Sequence, residues 1–408
     1  MSEGKLKRLF RGQRETLAKE QIASLENNRG AVWIHAASVG EFEQARPLIE
    51  QLRIRNSYPT GGTIISQFKI VVTFFSPSGY EARKHYDQAD GVYYLPLATR
   101  RKAKKFLDAL QPKMAIFVKY EFWPAYLKEL SKRGIPTYSI SAIFRPTQRF
   151  FHWYGRSSLR VLKCFTHIYV QDEASRRLLA EHGIHDCSVA GDTRFDRVVE
   201  VMGKGLQVSG DRLTPIAQFV QGCERVIIAG STWPKDEELL AKFMNTDPDA
   251  KLILVPHELN EEHLHTIFCM FQGQFVRYSA VSEMSDAVSR LNILQRAKVL
   301  LIDTMGLLST IYRFGQVAYI GGGFGAGIHN TIEAAVYGVP VVFGPNYHHF
   351  REAQGLIDAD AARSIKNYNE LEAALTLALE RHEEIGAKAA AYVQSELGAT
   401  EKIYKDLF

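Results

Sequence analysis

Glu41 stands three residues after Ser38 in the stretch "WIHAASVGEFEQARPLIEQLR" (residues 33–53). Ser-x-x-Glu ahead of a helical pattern is a capping box, in which the carboxylate bonds back to the Ser38 backbone. The same carboxylate at the mouth of a strand is placed to take a proton from a substrate hydroxyl. A second carboxylate, Glu121, ends the apolar run of "VKYEFWPAYL" (118–127), where a surface ion pair is the plain alternative. Asp192, Arg194 and Asp196 in "GDTRFDRV" read either as a salt-bridged turn or as a further polar corner of a site. No Ser–His–Asp or Cys–His set shows the spacing of a nucleophilic triad.

A second group of residues suits a phosphate rather than a proton. "VAYIGGGFGAGIHNTIEAAVYGVPVVFG" (317–344) reads as a strand, a glycine loop with Gly322 and Gly323, and a helix capped by Asn330 with Glu333 three residues on. Glycines admit close backbone approach, and a helix N-terminus offers free N–H groups to an anion. The spacing is not the G-x-G-x-x-G of a dinucleotide site, which disfavours an NAD-dependent oxidoreductase. "IAGSTWPKDEELL" (228–240) is a similar junction, with Gly230 and with Ser231 or Thr232 as the expected cap. "LILVPHELNEEHLH" (252–265) sets His257 and Glu258 just past a strand, with His263 and His265 following. That spacing does not put ligands on one helical face as H-E-x-x-H does, so no metal site is expected. Met305, Gly306 and Leu307 in "IDTMGLLSTIY" follow another strand, where backbone lines either a base pocket or the core.

The elements that position these residues alternate. Apolar runs of four to seven residues, such as "AVWIHAA", "KIVVTFF", "GVYYLPL", "MAIFVKY", "IPTYSIS" and "HIYVQ", are each followed by a helical pattern. Runs without polar alternation are strands covered on both faces, and repeated βα units give a doubly wound parallel sheet. Glycine, proline and weak periodicity interrupt the series at 206–222, which predicts a linker. A second series follows in "RVIIAG", "KLILVP", "VLLID", "QVAYIGGG" and "VPVVFGP". The expected division is a domain at 1–205, a second at 223–382, and a C-terminal helix at 383–408 that packs back toward the first. "YPTGGTIISQF" (58–68) reads as an inserted loop or hairpin. The fold class is therefore α/β, two Rossmann-like domains facing a cleft, with each motif at the carboxyl end of a strand, where such sheets bind ligands.

Composition excludes several classes. Fifty basic against forty-five acidic residues leave a net charge of +5, too mild to argue for nucleic acid. "TRRKAKK" (99–105) concentrates five of those basic residues, a solvated face or a contact for phosphates or an anionic membrane surface. Four scattered cysteines form no C-x-x-C and suit a reducing compartment. No apolar run is long enough to span a bilayer, and no signal-peptide core opens the chain, which reads as cytoplasmic.

Together "HAASVGE", "FFSPSGYE", "YEFWP", "GDTRFD", "GSTWPKDEE", "VPHE", "DTMGLLSTIY" and "GGGFGAGIHNTIEAAVYGVPVVFGP" resemble, in order and across residues 31–350, the transferases of 3-deoxy-D-manno-octulosonic acid (Kdo), glycosyltransferase family 30. The resemblance implies a GT-B fold and inverting transfer of Kdo from CMP-Kdo to the lipid A precursor of lipopolysaccharide, without metal or cofactor. It implies Glu41 as general base and Glu121 as a second active-site carboxylate. It places Gly230, Ser231, Thr232, His257, Glu258, Met305, Gly306, Leu307, Gly322, Gly323, Asn330 and Glu333 toward the nucleotide. Ser38, Gly40, Arg100, Arg101, Lys102 and Arg194 are the expected acceptor contacts. The implied setting is the cytoplasmic face of the inner membrane; the family's usual N-terminal apolar anchor is absent from this sequence, which fits either a trimmed chain or peripheral binding. Lys119 stands where many members carry an acidic residue, and Ala98 where an aspartate is common. The other readings are another GT-B nucleotide-sugar transferase, a UDP-sugar epimerase, or a non-catalytic sugar-binding protein at a membrane surface.

Overall fold

A computed structural model of the chain describes residues 11–13, 15–57, 68–152, 155–205, 210–271 and 275–408. The expected hairpin at 58–68 lies outside the described residues except for Phe68. The chain divides into two compact units, Met1–Arg197 with Glu396–Phe408, and Val198–Ser395.

The first unit is built on strands β1 (Val32–Ala36), β2 (Ile70–Phe74), β3 (Gly91–Tyr94), β4 (Met114–Val118), β5 (Thr137–Ala142), β6 (His167–Val170) and β7 (Cys187–Val189). Among the described residues they form one sheet in the order β3-β2-β1-β4-β5-β6-β7, every neighbour parallel. Side chains alternate between two covered faces, which is why the strands lack polar alternation. Val32, Ile34 and Ala36 pack with Phe42, Leu48, Val72 and Ile116, while Trp33, Val71 and Phe117 pack on the opposite face with Phe106 and Tyr126. The order runs outward both ways from the β1–β4 pair. That pair is the topological switch point, where the connections leave in opposite directions and open a crevice at the strand ends.

The second unit repeats the plan with β8 (Val226–Thr232), β9 (Lys251–Pro256), β10 (Phe275–Arg277), β11 (Val299–Leu301), β12 (Val317–Ile320), β13 (Val341–Phe343) and β14 (Ala362–Ser364). Their order is β10-β11-β9-β8-β12-β13-β14, also parallel, with the switch point between β8 and β12.

Two boundaries differ from expectation. Residues 206–222 are not a plain linker, because Gly210–Val220 forms a helix that packs on helix Ala287–Arg296. Its apolar positions Leu213, Ile216 and Phe219 are buried, and that burial outweighs a glycine start and an internal proline. The C-terminal segment is not one helix. Helix His382–Ser395 belongs to the second unit and helix Ala399–Leu407 to the first. Gly398 breaks them at φ +101°, a conformation that glycine adopts without strain. Asp196 accepts hydrogen bonds from the Gly398 N–H (2.8 Å), the Thr400 N–H (2.7 Å) and the Thr400 hydroxyl (2.6 Å), so it fixes the start of that last helix.

Candidate active site

Glu41 and Glu121 lie on the two sides of the first switch point. Glu41 sits in the first turn of helix Val39–Ser57, directly after β1, and Glu121 follows β4. The Glu41 carboxylate turns back on the start of its own helix, with backbone hydrogen bonds from both Ala37 and Ser38, the Ala37 one the stronger. Glu41 Oε2 accepts from the Ala37 N–H at 2.6 Å, while Ser38 Oγ accepts from the Glu41 N–H at 3.4 Å. Gly40 makes no tight turn; it lies in the helix, exposed, with open space where a Cβ would be.

Glu121 has a stiffer setting. His35 Nε2 lies 3.2 Å and Trp123 Nε1 2.5 Å from the same oxygen, Oε2. On the other side of the imidazole, Thr73 Oγ1 lies 2.9 Å from His35 Nδ1 and accepts from Trp33 Nε1 at 2.8 Å. One arrangement gives every donor in this buried chain an acceptor: Trp33 to Thr73, Thr73 to His35 Nδ1, and His35 Nε2–H and Trp123 N–H to Glu121. Glu121 is thus held by two rings rooted in the core.

Burial, then the charge of Glu121, push the Glu41 carboxyl up from 4.5 to about 7, against the Ala37 N–H, Lys119 and Ser38. Two carboxylates at one crevice, one clamped by donors and one poised near neutrality, are the pattern of a divided acid–base site. Lys119 is itself strained, at φ +60°.

The raised Glu41 value has a consequence for stability. The folded state binds the Glu41 proton more tightly than the unfolded chain, so the wild type loses stability as pH rises from about 4.5 through about 7. Above that, Glu41→Gln is expected to be more stable than the wild type by about 2–3 kcal/mol. Each tenfold gain in proton affinity on folding is worth roughly 1.4 kcal/mol, reduced here because solvent still screens part of the carboxylate. The difference shrinks below pH 5. Denaturant melts of both proteins at pH 5 and pH 8 check this; equal gaps at the two values contradict the buried setting of Glu41.

Arg194 is occupied. Its guanidinium Nε and Nη2 donate to Asp192 Oδ2 at 2.9 and 2.7 Å, and Gln44 Nε2 donates to Asp192 Oδ1 at 3.1 Å. Burial raises Asp192, but Arg194 and the hydrogen bonds outweigh it and leave the carboxyl lowered. The "GDTRFD" turn is therefore salt-bridged and tied to helix Val39–Ser57 one turn beyond Glu41; it positions that helix. Arg100 and Arg101 are exposed and Lys102 half-buried on helix Arg100–Leu110, capped by the Thr99 hydroxyl. Lys128 and Lys132 of the neighbouring helix line a groove with Arg100 and extend the basic run.

In the second unit, the expected nucleotide residues gather at the ends of β8, β9, β11 and β12. Ser231 and Thr232 do not cap the following helix; both belong to β8, Ser231 at φ +54°. The helix Pro234–Thr246 begins after Trp233, whose backbone N–H donates to Asp236 Oδ2 at 3.0 Å, and Thr232 Oγ1 donates to Glu237 at 3.0 Å. Asp236 also accepts from the Gly322 N–H (2.9 Å) and the Tyr319 hydroxyl (2.7 Å), locking the glycine loop to the β8 turn. The glycines permit this close packing of backbone. A Cβ on Gly321 would lie 2.2 Å from Ser231 O, and one on Gly323 2.6 Å from the Gly344 Cα. Gly322, at φ +90°, is buried, and a Cβ on Gly230 would meet the Tyr312 hydroxyl at 2.1 Å.

Asn330 is not the N-cap by backbone geometry, since Thr331 occupies that position of a one-turn helix, Ile332–Ala335. Asn330 Oδ1 accepts from the Ile332 N–H at 3.1 Å and its Nδ2 donates to Glu333 at 2.9 Å. So short a helix has little dipole to offer a phosphate. The Pro234–Thr246 N-terminus, thirteen residues long, offers more. Met305 is 81% exposed, Gly306 adopts φ +84°, and Leu307 is buried in the core, so one of the three presents a side chain outward. His257 and Glu258 are exposed. His263 Nδ1–H donates to the Glu258 carbonyl oxygen at 3.1 Å and its Nε2 pairs with Glu237 Oε2 at 2.7 Å, a structural pairing rather than a ligand set.

Two residues escaped the sequence reading, Trp233 and His329. Their rings meet His257 at the second switch point, Trp233 stacked on His257 at 4.8 Å and His257 on His329 at 4.6 Å. The signals were an aromatic directly after a strand and a histidine directly before Asn330.

Two wholly parallel α/β units, each with its polar residues at its switch point, define the GT-B class. The fold is shared with UDP-GlcNAc 2-epimerase from Neisseria meningitidis bound to UDP-GlcNAc, at a TM-score of 0.63 and 16% identity over 92% of this chain and 99% of that one. Residues 10–197 match the 3-deoxy-D-manno-octulosonic-acid transferase (kdotransferase) family. Over that stretch the chain is similar to this family. The 3-deoxy-D-manno-octulosonic acid transferase of Aquifex aeolicus is 26% identical over 372 residues, 89% of this chain and 90% of its own length. That of Haemophilus influenzae is 28% identical over 339 residues, 79% of this chain and 72% of its own.

Proposed function

We propose that the chain transfers Kdo from CMP-Kdo to a sugar hydroxyl of the lipid A precursor, with inversion and with Glu41 as general base. The carrying observation is the unequal carboxylate pair at the β1–β4 switch point. Glu41, near neutrality, takes the proton as the acceptor oxygen attacks the anomeric carbon. The transition state has oxocarbenium character, as in glycoside hydrolysis, and the anchored Glu121 carboxylate stabilises it. Negative charge grows on the phosphate of the departing CMP. The positive dipole end of the thirteen-residue helix Pro234–Thr246 favours such a charge. One attack on one face gives inversion, and no metal or cofactor takes part in this scheme.

The cytidine assignment is tested by calorimetry. CMP is expected to bind at least about tenfold more tightly than UMP or UDP, a gap of roughly 1.4 kcal/mol that one or two hydrogen bonds to the base edge supply. Preference for a uridine nucleotide favours another GT-B enzyme, including an epimerase.

For the acceptor, the basic helix supports contact with phosphates and with an anionic membrane surface, at the cytoplasmic face of the inner membrane. No helix of the described residues is long and apolar enough to cross a membrane. Neutralising Arg100, Arg101 and Lys102 together is expected to weaken binding to anionic vesicles by about 2–3 kcal/mol at low salt, near 1 kcal/mol per charge, and to raise the KM for acceptor with kcat little changed. Unaltered vesicle binding and KM overturn the assignment of that helix.

A further inference from the structure

Trp233, His257 and His329 come from the ends of β8, β9 and β12, three neighbours in the second sheet. Beyond the ring contacts, Trp233 Nε1 lies 3.3 Å from His329 Nε2. An indole N–H can only donate. His329 Nε2 therefore carries a lone pair, and the ring is neutral with its proton on Nδ1. Desolvation and the neighbouring His257 hold His329 below its usual value. Asp236, the acid behind this loop, has its oxygens engaged by Tyr319, Gly322 and the Trp233 backbone. The stack is thus a face-to-face histidine pair in which His329 is neutral, latched by a tryptophan that is 37% exposed.

We propose that this three-ring stack is a proton-linked latch for the phosphate of a bound nucleotide. The inference rests on the nucleotide reading of the second unit. An arriving phosphate anion favours the charged imidazole. The Nε2 lone pair takes a proton from solvent, which gives His329 a positive charge and an Nε2–H to donate to the phosphate. The Trp233 N–H then loses its acceptor, and the indole is released from His329 to cover the ligand. Donor binding and proton uptake are one event, and Trp233 reports it.

The test is calorimetry of CMP binding near pH 7.5 in buffers of different ionisation enthalpy, with cytidine as the phosphate-free control. The expected result is net proton uptake with CMP and none with cytidine. Affinity for CMP should fall as pH rises above 7, toward tenfold per pH unit at full uptake of one proton. His329→Gln keeps an acceptor for Trp233 but cannot titrate, and should lose the uptake. Trp233→Phe removes the latch, and should move the half-point of uptake to higher pH. CMP binding without uptake in the wild type overturns the latch and leaves the nucleotide reading standing. Uptake that persists in His329→Gln also overturns it, by assigning the proton elsewhere. Failure of CMP to bind the wild type removes both.

Discussion

Glu41→Gln is expected to lose transfer by about 10²–10⁴-fold in kcat, the usual contribution of a positioned general base, while its affinity for CMP is nearly unchanged. The amide keeps the shape and an acceptor for the Ala37 N–H, now at 2.6 Å, but cannot take up a proton as a carboxylate does. Because the substitution removes a group that acts only in the transition state, kcat and kcat/KM should fall together. The acid limb of kcat/KM in the wild type should lie near pH 7, where Glu41 ionises, with activity gained as pH rises through it. Normal turnover of the variant removes Glu41 from the chemistry and leaves it a helix-start residue.

The second large effect concerns the glycine loop. Gly321→Ala drives a Cβ to 2.2 Å from Ser231 O and 2.6 Å from the Thr232 Cα. Both are backbone, so no rotamer change relieves the clash, and the ends of β8 and β12 must separate. Overpacking of this kind costs about 1–3 kcal/mol or more, and for a unit of this size each kcal/mol lowers Tm by roughly 2–4 °C. The same separation displaces Trp233 and the Pro234–Thr246 helix start, so CMP affinity should fall with stability. Gly325→Ala is the matched control, since its Cβ meets nothing nearer than 3.6 Å. It should stay within about 0.5 kcal/mol of the wild type. Equal melting temperatures for the two variants contradict the packing role.

The long apolar strands were legible because each is buried on both faces and leaves an unbroken run. The three-residue edge strands β7, β10 and β14 were not. Cys187–Val189 or Phe275–Arg277 alone is too short to show a period, and only pairing with a neighbour makes it a strand. The carboxylate positions were also readable, since Glu41 and Glu121 end their units in plain sequence. Their unequal environments were not. The partners Thr73, His35 and Trp123 come from three separate segments, and only the β2-β1-β4 adjacency joins them. Local spacing misled where one pattern fits two geometries. Ser38-x-x-Glu41 looked like a box closed on Ser38, and Asn330-x-x-Glu333 like a cap at Asn330, where Thr331 holds that position. In both, the side chains do bond locally, Glu41 to Ala37 as well as Ser38, and Asn330 to Glu333 and the Ile332 N–H on a single turn. A sequence shows that a Cβ is absent, not whether backbone or ligand fills its place.

The most direct measurement incubates the protein with CMP-Kdo and a tetraacylated glucosamine disaccharide bisphosphate and follows the products by mass spectrometry. The account predicts acceptor carrying one or more added Kdo residues, with CMP released, and none of this in Glu41→Gln. An unmodified acceptor in the presence of well-folded wild type, or turnover of a UDP-sugar in place of CMP-Kdo, contradicts it.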